Sequence, residues 1–116
     1  MALLLCAFML CVEVIHAAGP DVKTGIEVLR DRDFDALQGK RVGLVTNPSG
    51  VDSQLRSTID ILYNAPGVNL VALYGPEHGV RGDVYAGGKI SDSIDQATGL
   101  PVYSLYGATR KPTRQM

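Results

Sequence analysis

Pro76-Glu77-His78-Gly79 sets a carboxyl group beside an imidazole, two side-chain types that commonly give and take protons in catalysis. Pro76 restricts the backbone, and Gly75 and Gly79 permit tight turns on either side. The segment follows directly on an apolar run. A carboxyl group held near an apolar sheet edge resists ionisation, which suits a general acid. Glu77 could instead cap a helix or pair with Arg81. His78 could transfer protons or bind substrate, or serve as a satisfied structural histidine. Arg81 suits a two-pronged contact to a carboxylate, or a surface ion pair. Asn47 could hydrogen-bond a substrate hydroxyl or amide, or make the turn that its Asn-Pro sequence favours. Tyr106 could stack on or hydrogen-bond a substrate, or sit as an interface tyrosine, with Arg110 a little further along the same segment.

Other chemistries find no support. Both cysteines, Cys6 and Cys11, fall in an N-terminal leader, so the chain beyond it has no thiol nucleophile, disulfide framework or thiolate metal site. One histidine remains there, and neither His-x-x-x-His nor Cys-x-x-Cys spacing occurs, so no metal is expected. A P-loop and a Gly-x-Gly-x-x-Gly turn are both absent, and no cofactor is expected. Ser49, in Asn-Pro-Ser-Gly, does not form a nucleophile elbow. Net charge is −1 and the basic residues are scattered, against nucleic-acid binding.

The elements that must carry these residues are readable in outline. Arg41 to Thr46 (RVGLVT) and Val68 to Tyr74 (VNLVALY) are apolar, β-branched runs between turn signals and read as buried strands. Between them Ser57-x-x-Asp60 marks a helix start, with Leu55, Ile59 and Leu62 on one face and Pro66-Gly67 as its end. A strand-helix-strand of this length predicts a parallel, right-handed crossover. Pro101 to Tyr106 (PVYSLY) is a third strand, and Pro112 could open a helix. Gly75 to Leu100 has no clear period, and loops this long are usually functional or disordered. Before the first strand, a short strand at Gly25 to Leu29 and a helical turn at Phe34 to Leu37 are expected. The class is α/β, a parallel sheet with flanking helices, unfinished at three strands. Ligands of such sheets bind beyond the carboxyl ends of the strands. Those ends deliver Asn47, then Glu77 and His78, then Tyr106 and Arg110, to one rim.

The chain has 116 residues, 46% hydrophobic and 20% charged, as in an ordinary globular domain. Ala2 to Val12 carries no charge and is followed by Ala17-Ala18-Gly19-Pro20. This reads as a secretory signal peptide over residues 1–18, too short in its apolar part to span a bilayer. The mature part, residues 19–116, is therefore expected outside the cytoplasm, secreted or periplasmic, with no membrane association after cleavage.

The sequence resembles the bacterial exo-β-N-acetylmuramidase family of the NamZ type. The resemblance rests on TGIEVL from Thr24, GKRVGLVTNPSGVD from Gly39 to Asp52 and RSTIDIL from Arg56 to Leu62. LVALYGPEHGVRG from Leu70 to Gly82 and DSIDQATGLPVYSLYGATRKPT from Asp92 to Thr113 complete it. Pro48 and Ser49 stand where the family often shows Gln and Thr. The resemblance implies a Rossmann-like catalytic domain, of which residues 19–116 are the N-terminal part, with its C-terminal part and a second domain missing. It implies release of terminal N-acetylmuramic acid from the non-reducing end of peptidoglycan fragments, with Glu77 catalytic. His78, Asn47, Arg81 and Tyr106 lie in family motifs near that cleft. The lactyl carboxylate of muramic acid would give Arg81 or Arg110 a partner. A non-catalytic module holding a wall sugar is the alternative. Glycosidases usually need a second carboxyl group. Asp83, Asp92 and Asp95 are candidates; otherwise the group lies elsewhere, or the substrate's own acetamido group attacks. The fragment alone is expected to be inactive, and nothing in the sequence speaks to an oligomer.

Overall fold

The computed structural model describes residues 22–82, 85, 88 and 91–116. The leader over residues 1–18 and Asp83 lie outside the described residues.

The first element corrects an expectation. Gly25–Asp31 is a helix (α1), not a strand. Its signal is Thr24-x-x-Glu27: the Glu27 carboxylate accepts from the Thr24 backbone N–H and hydroxyl, both at 2.7 Å. Alternation would have paired Ile26 with Val28, but Val28 is 43% exposed, and Ile26 and Leu29 face the core together at helical spacing. The helical turn at Phe34 to Leu37 is present as a 3₁₀ turn over Asp35–Leu37.

Arg41–Val45 forms β1, Thr58–Tyr63 forms α2 and Asn69–Gly75 forms β2. Ser57 caps α2 by accepting from the Ile59 N–H at 3.2 Å. Ile59 and Leu62 are buried as expected, whereas Leu55 lies outside α2, 80% exposed in a left-handed backbone at φ 61°. Ser93–Ile94 (β3) is a short strand inside the stretch without a period, and Pro101–Ser104 is β4. The expected opening of a helix at Pro112 is not seen; the chain runs on in turns.

The sheet order is β1-β2-β4-β3, with β1, β2 and β4 parallel and β3 antiparallel. β2 is the buried strand, with Leu73 fully enclosed. β1, expected to be buried, is half-exposed because it pairs on one side only among the described residues. Its register slips between Val42 and Gly43, the place of a bulge. The ring of Tyr74 fills the space above Gly43, where a Cβ would lie 2.8 Å from Cε2. Ile59, Leu62 and Ala65 from α2 and its exit pack with Leu70, Leu73, Val102, Phe34 and Val80 into one core.

A polar staple holds the β1–α2 connection. Asp52, its side chain fully buried, accepts from Arg56 Nε at 2.8 Å, Arg30 Nη1 at 3.2 Å and the backbone N–H groups of Gln54 and Arg56. Arg56 foremost among these holds the Asp52 carboxyl well below the usual range.

Candidate active site

Parallel pairing brings the carboxyl ends of β1, β2 and β4 to one rim, with β2 in the middle. Backbone bonds continue past the strand ends on both sides of β2. Thr46 N–H donates to Tyr74 at 3.1 Å, and Leu105 N–H to Gly75 at 2.8 Å. The loops after β1 and β4 therefore leave on either side of the loop after β2. The convergence expected of Asn47, Glu77, His78, Tyr106 and Arg110 is realised at the level of their loops.

In the middle loop, Gly79 N–H donates to the Pro76 carbonyl at 3.2 Å and closes a four-residue turn with Glu77 and His78 at its centre. His78 has φ 71°, a conformation that costs an L-residue roughly 1–2 kcal/mol. Such strain persists where the surroundings over-determine the backbone, and it clusters at functional sites. The surroundings here are three anchors. Val80 is buried in the core, Arg81 is held by carboxylates, and Gly82 abuts Pro48.

Glu77 is exposed, which corrects the expected apolar setting, and it makes no hydrogen bond or ion pair with any described residue. It neither caps a helix nor pairs with Arg81. His78 beside it is likewise exposed and without a partner among the described residues.

Asn47 makes the turn. Its Oδ1 accepts from Ser49 N–H at 3.1 Å and Ser49 Oγ–H at 2.7 Å, which leaves Nδ2 without a described acceptor. Gly50 fits closely there, since a Cβ would crowd Thr46 Oγ1. On the third loop Arg110 stacks over the Tyr106 ring at 4.9 Å and pairs with no described carboxylate. A hollow of about 310 Å³ lies beside the end of β4, lined by Ser91, Asp92, Ser104, Ala108, Thr109 and Met116.

Arg81 reaches two carboxylates that sequence reasoning did not assign to it. Nε donates to Asp95 Oδ1 at 2.5 Å and Nη2 to Oδ2 at 3.0 Å, while Nη2 and Nη1 donate to Asp60 at 2.8 and 3.3 Å. Asp95 holds the guanidinium protonated far above its ordinary value, and Arg81 in turn lowers the Asp95 carboxyl. Asp95 also accepts from Thr98, and Asp92 Oδ1 accepts from the Ser104 N–H at 2.8 Å. Of the two described candidates for a second carboxyl group, Asp95 is buried and fully engaged, while Asp92 is exposed with one oxygen accepting.

Three comparisons bear on the chain as a whole. A family profile described as "Exo-beta-N-acetylmuramidase NamZ, N-terminal" matches residues 42–116. The chain is 55% identical over 100 residues to peptidoglycan beta-N-acetylmuramidase NamZ of Bacillus subtilis, covering 86% of this chain and 24% of that protein. It is similar to the crystal structure of a DUF1343 family protein from Bacteroides fragilis, at 68% identity and a TM-score of 0.72, over 81% of this chain and 23% of the other. The chain therefore spans about a quarter of the length of these relatives, and its sheet is a partial Rossmann-like one.

Proposed function

Because the chain belongs to the exo-β-N-acetylmuramidase NamZ family, we propose that it supplies the acid-bearing rim of a glycosidase in the full-length protein. The enzyme releases terminal N-acetylmuramic acid from the non-reducing end of peptidoglycan fragments. One observation carries the reading: Glu77 is an exposed carboxyl group without a partner among the described residues, at the centre of a turn anchored on three sides, in the middle of the strand-end rim. Resemblance of the leader to a signal peptide supports action outside the cytoplasm, where such fragments arise.

In this reading Glu77 gives its proton to the glycosidic oxygen as the bond from the anomeric carbon to that oxygen breaks. His78, next along the turn, adds an exposed imidazole that can share in proton transfer. Asp95 is committed to Arg81 and Thr98, whereas Asp92 is exposed and accepts one bond on Oδ1, which leaves its Oδ2 without a described partner and makes it the better candidate for a second carboxyl group. Without one, the substrate's acetamido oxygen attacks the anomeric carbon; water then displaces that oxygen from the carbon and returns its proton to the Glu77 carboxylate. In the same reading Asn47 Nδ2 and Tyr106 hold hydroxyl and acetamido groups. Arg110 is the better partner for the lactyl carboxylate, because Arg81 is already occupied.

The test is substrate discrimination by the full-length protein. Chromogenic β-N-acetylmuraminide should be hydrolysed much faster than the matching glucosaminide, and Arg110→Ala should erode that preference by about tenfold or more, as loss of a charge-assisted contact does. Equal losses on both substrates would remove the lactyl assignment. No turnover of any muramic substrate, with binding intact, would favour a sugar-binding module instead. Residues 19–116 alone should be inactive.

A further inference from the structure

We propose that Asp95 and Asp60, acting through Arg81, are positioning residues for the Glu77 turn, and that Arg81 does not bind the sugar. The inference rests on the reading of Glu77 as the acid.

A guanidinium has five N–H donors and two edges that can grip a carboxylate with two bonds. The edge formed by Nε and Nη2 is on Asp95, and the edge formed by Nη1 and Nη2 is on Asp60. Neither edge is left for a third carboxylate. The cluster holds two carboxylates against one cation, so its field opposes an anionic sugar substituent.

Asp95 is itself fixed. Its side chain is 4% exposed and accepts from the Thr98 N–H at 3.1 Å and hydroxyl at 2.7 Å. Its backbone N–H donates to Leu100 and its carbonyl accepts from Gly99, which locks it in the turn between β3 and β4. Asp60 lies on α2. Arg81 follows Gly79 and Val80, so the clamp ties the strained turn to the helix on one side and the β3–β4 turn on the other. A turn with His78 in a left-handed conformation needs such restraint to hold one geometry.

The test uses the full-length protein and reads kcat and KM separately on a muramic substrate, at a temperature where each variant is fully folded. Asp95→Asn and Arg81→Ala should each lower kcat by about 10- to 100-fold, the scale of an ångström-sized misplacement, with KM within about threefold. The double variant should be no worse than the worse single one. Arg81→Lys should not rescue, because an ammonium cannot grip two carboxylates at once. Should Asp95→Asn not fold, Asp60→Asn replaces it: half-exposed, it should cost about threefold or more in kcat without loss of fold. A KM raised tenfold by Arg81→Ala with kcat intact would overturn the clamp, as would unchanged kinetics in Asp95→Asn or its replacement. In those cases Glu77→Gln remains inactive. An active Glu77→Gln protein would instead overturn the reading on which the clamp rests.

Discussion

The ring of Pro48 closes on Gly82, so that the loops after β1 and β2 touch at the foot of the candidate site. A Cβ on Gly82 would stand 3.0 Å from Pro48 Cγ, and Gly82 has φ 81°. Gly82→Ala should therefore destabilise the protein by about 1–3 kcal/mol and lower turnover with it. Pairing it with Pro48→Ala should recover the part due to the clash, though not the part due to backbone strain. Denaturant melts of the full-length protein measure both. Strict additivity of the two changes would show that the contact does not matter.

The parallel strands were legible because apolar, β-branched runs between turn signals admit few other readings, and the meeting of their ends at one rim follows from parallel pairing. Other features were hidden for identifiable reasons. Residues Gly25 to Leu29 alternate loosely enough to imitate a strand, and the competing signal, Thr24 with Glu27, decides the matter through capping bonds. The two residues of β3 are too few for any period. The partners of Arg81 are 14 and 21 residues away, beyond any local pattern. Ser57-x-x-Asp60 has the spacing of a capping pair. Only its Ser57 half acts so, and Asp60 turns to Arg81 instead. The choice between Asp92 and Asp95 as a second carboxyl group is not legible in sequence, since the bonds that occupy Asp95 form only in three dimensions.

Gly43 was one more signal within reach, for a glycine inside a strand marks a bulge or a close approach. Here it marks both. Gly43→Ala should cost about 1–3 kcal/mol by driving a methyl group into the Tyr74 ring. A melt unchanged from wild type would mean that the ring swings aside freely.

Glu27 should make the protein acid-sensitive in a defined window. Its carboxyl is lowered from 4.5 to about 2, first by the Ser53 hydroxyl and then by Thr24. The folded value lies below the unfolded one, so this stabilisation is complete above pH 4.5 and is lost as pH falls towards about 2. Asp52 and Asp95 are lowered as well and add to the same trend. Glu27→Gln should lower the melting temperature near neutrality and flatten its fall with acid. The account of Glu27 fails if the variant keeps the wild-type acid slope.

Glu77→Gln in the full-length protein is the most direct test of the whole account. The amide keeps the size of the side chain and, because Glu77 has no described partner, should leave the fold and the melting temperature unchanged. Hydrolysis of a muramic substrate should fall by about 10²–10⁴-fold, the usual worth of a positioned proton donor, while calorimetry still finds the sugar bound. Normal turnover by that variant would contradict the assignment of Glu77 as the acid.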